Sequence, residues 1–195
     1  MGKRDKSERK TYLDRLLSER VTNVPCKDGY YGDAMKRGNE LEPRARARHG
    51  LEIGEAVKEV GFISCGCDWD GWVGASTDGL IGDDGIVEIK CVNNPVQIRT
   101  ILEGKVPGSH KYQIQGGLLV TEREFCDFVS FNPDLGFKYE YFSIRVYRDE
   151  EVISELFEGL NVFIDELRTL QNSFGSVSKQ LNDSIKGEAS KCRKI

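Results

Sequence analysis

The sequence predicts an α/β or α+β fold in which a mixed β-sheet is flanked by helices. Segments with strand-like and helix-like patterns alternate along the chain. The 195 residues, 38% of them hydrophobic, suffice for one domain with a buried core. The clearest helix, over residues 152–170, carries its apolar side chains on one face. We therefore expect one domain over residues 1–174 and a polar, basic and flexible tail over residues 175–195.

Four further segments have helical patterns, and Pro43 lies inside the longest of them. Because proline removes a backbone donor, we expect a bend or a helix start near residues 39–42. The four helices are predicted over residues 7–20, 35–61, 95–102 and 109–121.

Five segments have strand-like patterns, and residues 78–85 between two of them read as turns because of their glycines and aspartates. The strands are predicted over residues 60–64, 72–76, 86–92, 125–132 and 138–147.

Charge and hydropathy argue against three classes of protein, namely a uniformly basic, a membrane-spanning and a secreted one. The net charge is −4, which argues against a uniformly basic coat for nucleic acid but is compatible with a local basic face. The sequence has no run of about 18 apolar residues that would predict a transmembrane helix. The N-terminal charges are not followed by the apolar stretch of a secretory signal. We therefore expect a cytoplasmic protein whose six cysteines are reduced.

Several common catalytic motifs are missing from the sequence. His49 and His110 are isolated, and Cys65-Gly-Cys67 lacks a second ligand pair at zinc-site spacing. There is no Gly-x-x-x-x-Gly-Lys-Ser/Thr loop and no Gly-x-Ser-x-Gly elbow. Metal–thiolate, P-loop and serine-hydrolase chemistry are therefore not expected.

An acidic pattern in the middle of the chain favours a metal site with oxygen ligands. Asp78 follows a strand-like segment, and Glu88 and Lys90 flank Ile89 within an apolar run. Strand side chains alternate between two faces, so Glu88 and Lys90 share a face, and Asp78 lies across a glycine-rich turn from them. Two converging carboxylates suit Mg²⁺ or Mn²⁺, and a neighbouring lysine can orient or deprotonate a metal-bound water.

On their own, these three residues leave two interpretations open. One is metal-assisted hydrolysis of a phosphodiester, in which the lysine also offsets developing negative charge. The other is an exposed ion pair on an edge strand, because a charged pair buried without partners would cost several kcal/mol.

Five short motifs occur in order along the chain. They are Gly38-Asn-Glu-Leu-Glu42-Pro-Arg-Ala-Arg46, Gly74-Ala-Ser-Thr-Asp78-Gly-Leu80, Glu88-Ile-Lys90-Cys91, Tyr112-Gln-Ile-Gln115 and Phe131-Asn-Pro-Asp134. Each is weak alone, but together they resemble the motifs of the lambda exonuclease, or YqaJ-type viral recombinase, family of PD-(D/E)XK nucleases. Ser-Thr-Asp-Gly takes the place of the family's Ser-Pro-Asp-Gly.

The resemblance implies a restriction-endonuclease-like core, a mixed sheet flanked by helices, over the single domain. It also implies Mg²⁺-dependent 5′→3′ degradation of one strand of duplex DNA by two-metal hydrolysis, with Mn²⁺ as a substitute metal. By motif position, the expected metal ligands are Asp78, Glu88 and the backbone carbonyl of Ile89.

The resemblance assigns three supporting roles. Lys90 is expected to act on the attacking water, and Glu42 to support the second metal directly or through its waters. Gln113 is expected to orient the site, although Gln115 is an equally good amide from the sequence alone.

The resemblance further implies a ring-shaped homotrimer that acts on double-stranded DNA ends with a single-strand annealing protein, encoded by a phage or prophage in a bacterial cell. Five basic side chains are candidates for contacts with DNA phosphates, although solvation of helix surfaces explains them equally well. They are Arg44, Arg46, Arg99, Lys105 and Lys111.

Two alternative functions stay open. One is an endonuclease or nickase of restriction or repair type with the same chemistry. The other is a non-catalytic DNA-end adaptor on a nuclease scaffold, against which the intact set of Asp78, Glu88 and Lys90 argues.

Overall fold

The computed structural model describes residues 3–26, 32–66, 69 and 71–192. These residues form helices and strands in mixed order. The helices are α1 (Lys3–Thr22), α2 (Asp33–Ile53), α3 (Asn94–Glu103), α4 (Lys111–Thr121) and α5 (Glu150–Cys192). The strands are β1 (Val57–Lys58), β2 (Phe62–Ser64), β3 (Gly74–Ser76), β4 (Gly79–Ile81), β5 (Gly85–Cys91), β6 (Phe125–Phe131) and β7 (Tyr141–Tyr147).

The main sheet contains five strands in the order β1-β4-β5-β6-β7. The central strands β5 and β6 are parallel, whereas the other neighbours are antiparallel. The parallel pair requires a crossover, which α3 and α4 provide. Strands β2 and β3 form a separate hairpin. The fold is therefore a mixed sheet with helices on both faces, as the sequence predicts.

Alternation along β5 and β6 separates two apolar clusters on opposite faces of the sheet. The cluster on the α2 face contains Ala45, Ile81, Val87, Ile89, Val129 and Phe131. The cluster on the α4 face contains Ile86, Ile114, Leu118, Cys126, Phe128 and Ile153. Helices α2 and α4 are therefore anchored to β5 from opposite sides.

Two predictions for this region are wrong. The predicted helix over residues 35–61 ends at Ile53, because Gly54 adopts a left-handed conformation (φ 70°) and its N–H bonds to the carbonyl of Gly50. The chain then forms β1, an edge strand paired with β4. Strand β4, which pairs with β1 on one side and β5 on the other, lies where the sequence predicts turns because glycines surround it.

Pro43 lies within α2 without starting it, because the helix already begins at Asp33. Of the two outcomes expected near residues 39–42, the helix start is therefore wrong, and the bend stays a prediction. The other four predicted helices and the five predicted strands are present, with ends shifted by a few residues, except at the C-terminus, where α5 continues to Cys192.

The chain divides into two compact units. Residues 30–157 contain the sheet, and a smaller unit joins residues from the two ends of the chain. In the smaller unit α1 packs against α5 through the rings of Tyr12 and Phe163, whose centroids are 5.8 Å apart, and through the ion pair Arg9–Glu166 at 2.5 Å. The single domain and the flexible tail expected from the sequence stay predictions, although residues 175–192 are helical. None of the described helices combines the length and the apolar character that a membrane span needs.

Candidate active site

Asp78 is fixed to the edge of β5 by backbone pairing. Its N–H donates to the carbonyl of Val87 at 3.1 Å, and its carboxylate Oδ2 accepts the N–H of Ile89 at 2.6 Å. The following residue is Gly79, where an added Cβ would lie 2.7 Å from a methyl of Val57. The chain can therefore approach its neighbours only with glycine beside the carboxylate.

Glu88 and Lys90 lie on the α4 face of β5, as the alternation predicts. Glu88 is only 6% exposed, and its Oε1 lies 2.5 Å from Nζ of Lys90. The same oxygen accepts a hydrogen bond from Nε2 of Gln113 at 2.6 Å. The alternative amide, Gln115, is buried elsewhere, donating to the carbonyl of Tyr147. The structure therefore brings Gln113, and not Gln115, to the carboxylate.

Helix α2 contributes a third carboxylate and a buried guanidinium. Arg46 bonds through Nε to the backbone carbonyl of Asp78 at 2.7 Å and through Nη1 to Glu59 at 2.6 Å. Its Nη2 bonds to Glu42, one helical turn earlier. Glu42 and Asp78 therefore meet at one arginine, which joins α2 to the segment that precedes β4.

The three carboxyl groups share a perturbed electrostatic environment. Burial is the largest cause of the raised pKa of Asp78, and hydrogen bonding by Ile89 and the charge of Lys90 oppose it. Burial, followed by the charge of Asp78, also raises the pKa of Glu88. Burial and the same neighbouring charge raise the pKa of Glu42. Three carboxyl groups that disfavour one another's ionisation are typical of a cation-binding or catalytic site.

The donors fit a divalent metal that is bound by few protein ligands. Among the described residues, no group of three or more His, Cys, Asp or Glu side chains is arranged to hold a metal ion. Mg²⁺ is usually bound by one or two carboxylates and several waters, so Asp78 and Glu88 suffice as protein anchors. The structure shows the N–H of Ile89 bonded to Asp78, and the role expected for the Ile89 carbonyl stays a prediction.

The five candidate DNA contacts occupy different environments. Arg46 is 8% exposed and belongs to the carboxylate cluster described above. Arg44 is exposed and pairs with Glu140 at 3.0 Å. The two lysines make longer ion pairs, Lys105 with Glu103 at 3.6 Å and Lys111 with Asp149 at 3.8 Å, and Arg99 lies on the exposed face of α3. Contact of all five with DNA stays a prediction.

Sequence reasoning missed two features of the site. The pair of Arg46 with Glu42 at i,i+4 spacing follows from the sequence, but the bond of Arg46 to the backbone carbonyl of Asp78 does not. His49 is fully buried, with Nδ1 2.7 Å from the hydroxyl of Tyr141 and Nε2 3.2 Å from Asp127. This contact of α2 with β6 and β7 depends on how the helix packs on the sheet, so the sequence alone does not predict it.

The chain is similar to known nucleases in sequence and in structure. Residues 2–124 match the YqaJ-like viral recombinase domain. The alkaline exonuclease LHK-Exo from Laribacter hongkongensis is 37% identical, with a TM-score of 0.80, and the alignment covers 88% of this chain and 86% of that one. The structure of LHK-Exo in complex with dAMP matches with the same identity and coverage and a TM-score of 0.79. A search of curated proteins finds no match.

A more distant structure agrees in fold alone. A phage related exonuclease from Haemophilus somnus 129PT has 17% identity and a TM-score of 0.60, and the alignment covers 89% of each chain. The family match extends over more than half of the chain and includes Glu42, Asp78, Glu88, Lys90 and Gln113. The chain therefore belongs to the YqaJ-like viral recombinase family and has its PD-(D/E)XK-like nuclease fold.

Proposed function

We propose that the protein is a phage-type alkaline exonuclease that degrades one strand of duplex DNA in the 5′→3′ direction, from DNA ends. The observation that carries the proposal is the convergence of Asp78, Glu88, Lys90 and Gln113 around β5. The family match and the 37% identity to an alkaline exonuclease support a deoxyribonuclease. The complex of that relative with dAMP, a mononucleotide, supports the release of mononucleotides.

Asp78 and Glu88 would hold a divalent metal, for which we propose Mg²⁺ with Mn²⁺ as a substitute. Glu42 would support a second metal, directly or through water. When bound, such a metal polarises a phosphoryl oxygen and lowers the pKa of a coordinated water. The raised pKa of Glu88 supports this assignment, because burial and then the charge of Asp78 raise it, and a bound cation would offset that repulsion.

The chain's own residues orient the reacting groups. Lys90 Nζ lies beside Glu88. As a neutral amine it can accept a proton from the attacking water, and as an ammonium ion it can orient that water and offset charge on the phosphate. Gln113 holds one oxygen of Glu88, which leaves the other for a ligand. Arg46 fixes the backbone of Asp78 and the carboxylate of Glu42.

The biological context is also a proposal. The family's description as a viral recombinase supports a phage or prophage origin, action in the cytoplasm of a bacterial cell and a part in recombination by single-strand annealing. A partnership with a single-strand annealing protein and a ring-shaped homotrimer around the DNA follow from the resemblance to the family. A closed ring would reconcile DNA binding with the net charge of −4, since confinement requires fewer phosphate contacts.

The test compares a linear duplex with a covalently closed circle, each incubated with Mg²⁺ or with a chelator. We expect the wild type to release mononucleotides from the linear DNA alone and only with metal. Lys90→Ala should reduce the rate by at least about 100-fold, as expected when a group that acts on the water is removed. Lys58→Ala, which alters an exposed lysine on the edge strand β1, is the matched control and should retain the wild-type rate.

Each other outcome points to a different function. Cutting of the closed circle would contradict an exonuclease and support an endonuclease or nickase. Binding of DNA without cleavage of either substrate would support the non-catalytic adaptor. Strands labelled at the 5′ or 3′ end would establish the polarity.

A further inference from the structure

Arg37 lies near the start of α2, at the carboxyl end of β6. Its guanidinium Nη2 bonds to the side-chain oxygen of Asn132 at 2.9 Å and to Oδ2 of Asp134 at 2.8 Å. The side chain is 37% exposed, so the guanidinium lies at the surface but has a defined orientation. Ligands of α/β sheets commonly bind beyond the carboxyl ends of parallel strands, which is where Arg37 lies.

The support beneath Arg37 is buried and neutral. Asn132 has no exposed surface, and its Nδ2 donates to the side chain of Asn94 at 2.7 Å. That donation directs its oxygen towards Arg37. A buried amide orients the guanidinium without neutralising it, which distinguishes this arrangement from an ordinary surface ion pair.

Arg37 shares its surroundings with the catalytic candidates. Cys91 ends β5 next to Lys90, and it pairs with Phe131, the last residue of β6. Asn132, which accepts a hydrogen bond from Arg37, directly follows Phe131. Arg37 therefore lies where the carboxyl ends of the two parallel strands meet, close to the end of β5 that carries Lys90.

The guanidinium retains capacity for another ligand. Both of its contacts use Nη2, and Nε and Nη1 make no hydrogen bond within the described part of the chain. An arginine presents several N–H groups in a planar fork that matches two oxygens of a phosphate. Its charged partner, Asp134, is 56% exposed and can turn into solvent.

We propose that Arg37 binds a phosphate group of the DNA at the candidate active site and that Asp134 pairs with Arg37 until the DNA displaces it. The proposal rests on the proposed function, because it takes DNA as the ligand. It assigns opposite effects to the two members of one ion pair. Loss of Arg37 weakens DNA binding, and loss of the Asp134 charge strengthens it, because a competing anion that also repels phosphate is removed.

The test measures the anisotropy of a fluorescein-labelled duplex with one single-stranded end, in chelator so that no hydrolysis occurs. We expect Arg37→Gln to weaken binding about tenfold, as for one charge-assisted hydrogen-bonded contact, and to lower the salt slope by about one. Arg168→Gln is the matched control, since Arg168 also forms an exposed pair, with Asp165 at 3.4 Å. The control should bind as the wild type does.

The same binding measurement on Asp134→Asn provides a second test, which does not depend on the folding of the Arg37 variant. We expect binding about threefold tighter than wild type at low salt, and this difference should disappear in Arg37→Gln/Asp134→Asn. Duplexes with a 5′-phosphate or a 5′-hydroxyl distinguish the two sources of phosphate. An equal loss on both indicates an internal phosphodiester, whereas a loss only with the 5′-phosphate indicates the terminal group.

Two results would overturn the inference. If the wild type binds the duplex and Arg37→Gln binds equally well, or no more weakly than Arg168→Gln, Arg37 is not a phosphate ligand. If Asp134→Asn weakens binding, the ion pair supports the site and does not compete with DNA. Wild-type protein that binds no duplex would instead contradict the proposed function itself, and the inference with it.

Discussion

Arg46 and Asp78 are joined at a backbone atom, with Nε of the guanidinium donating to the carbonyl oxygen of Asp78 at 2.7 Å. The arginine thus holds the chain from which the carboxylate projects and leaves the carboxylate itself to the N–H of Ile89. Its remaining nitrogens bond to Glu42 and Glu59. Helix α2 therefore controls the position of Asp78 without using either of its carboxylate oxygens.

This arrangement predicts that Arg46→Lys is not a conservative change. A lysine keeps the charge, but its three donors lie on one nitrogen, which cannot replace the three guanidinium nitrogens that bond to the carbonyl and the two carboxylates. We expect the free energy of unfolding to fall by about 1–3 kcal/mol, because the partly buried carbonyl of Asp78 and carboxylate of Glu42 lose their donors, and the nuclease rate to fall about tenfold or more. Urea denaturation and a nuclease assay measure the two effects. Arg44→Lys, two residues earlier on the same helix and exposed, should change stability by less than about 1 kcal/mol.

The raised pKa of Asp78 predicts a conflict between stability and activity. Because burial raises this pKa, the folded protein binds the proton more tightly than the unfolded chain, so ionisation at neutral pH costs stability. We expect Asp78→Asn, which can still accept the N–H of Ile89, to melt at a higher temperature than wild type in chelator. It should also lose the stabilisation by Mg²⁺ and at least about 100-fold of the nuclease rate.

Thermal melts with and without Mg²⁺ check this prediction. Asp83→Asn, in the exposed turn between β4 and β5, is the control and should behave as wild type with and without metal. A lower melting temperature of Asp78→Asn in chelator would show that its carboxylate stabilises the metal-free fold.

Replacing either of two glutamines of α4 by alanine should have different effects, a loss of activity at Gln113 and a loss of stability at Gln115. Gln113 touches Glu88, so Gln113→Ala should lower the nuclease rate about tenfold while changing stability by less than about 1 kcal/mol. Gln115 donates to the carbonyl of Tyr147 and accepts the N–H of Asp149. Gln115→Ala leaves both groups without that partner, so stability should fall by about 2 kcal/mol. The nuclease rate and the free energy of unfolding of both variants check this prediction. If the two variants lose activity and stability to the same extent, the different roles assigned to Gln113 and Gln115 are wrong.

Asp127 predicts a loss of stability in acid. Burial opposes its ionisation, but the contacts with Arg145 and His49 outweigh burial and lower the pKa of the carboxyl to about 2. A folded-state pKa below the unfolded value contributes stability above the unfolded pKa, which is lost as pH falls through the folded one. The unfolding free energy of wild type minus that of Asp127→Asn should therefore be constant above about pH 5 and shrink by about 2 kcal/mol towards pH 2.

Urea denaturation across this pH range measures the difference. Asp83→Asn is the control, since an exposed carboxyl should give a difference that varies little with pH. A constant difference between wild type and Asp127→Asn down to about pH 2 would contradict the linkage.

Local patterns were sufficient to predict where several candidate site residues lie. The alternation around Ile89 predicts that Glu88 and Lys90 share a face of β5, and the structure places them together. This placement depends only on residues close together in sequence, whereas the roles that the five motifs suggest for Glu42, Asp78 and Gln113 stay predictions. The family and the nuclease fold predicted from the motifs are confirmed.

Contacts between distant segments could not be predicted. The choice between Gln113 and Gln115 depends on how α4 packs on β5, and the buried position of Arg46 depends on the approach of α2 to Asp78. The end of α2 at Gly54 was missed because residues 55–61 retain helix-compatible side chains, and only pairing with β4 makes Val57 part of a strand. Tertiary pairing overrides local propensity at both places.

Because β5 and β6 are parallel neighbours, the recovery of nuclease activity should report when these two strands pair during folding. The ladder begins with Gly85 opposite Phe125. Helices α3 and α4 separate the two strands in the sequence, and they must form the crossover before the strands can pair. Non-local closure of this kind is slow compared with the formation of single helices. Glu88 and Gln113 meet only when the crossover is complete, so nucleolytic activity should return with the last refolding phase, after most of the helical circular dichroism signal.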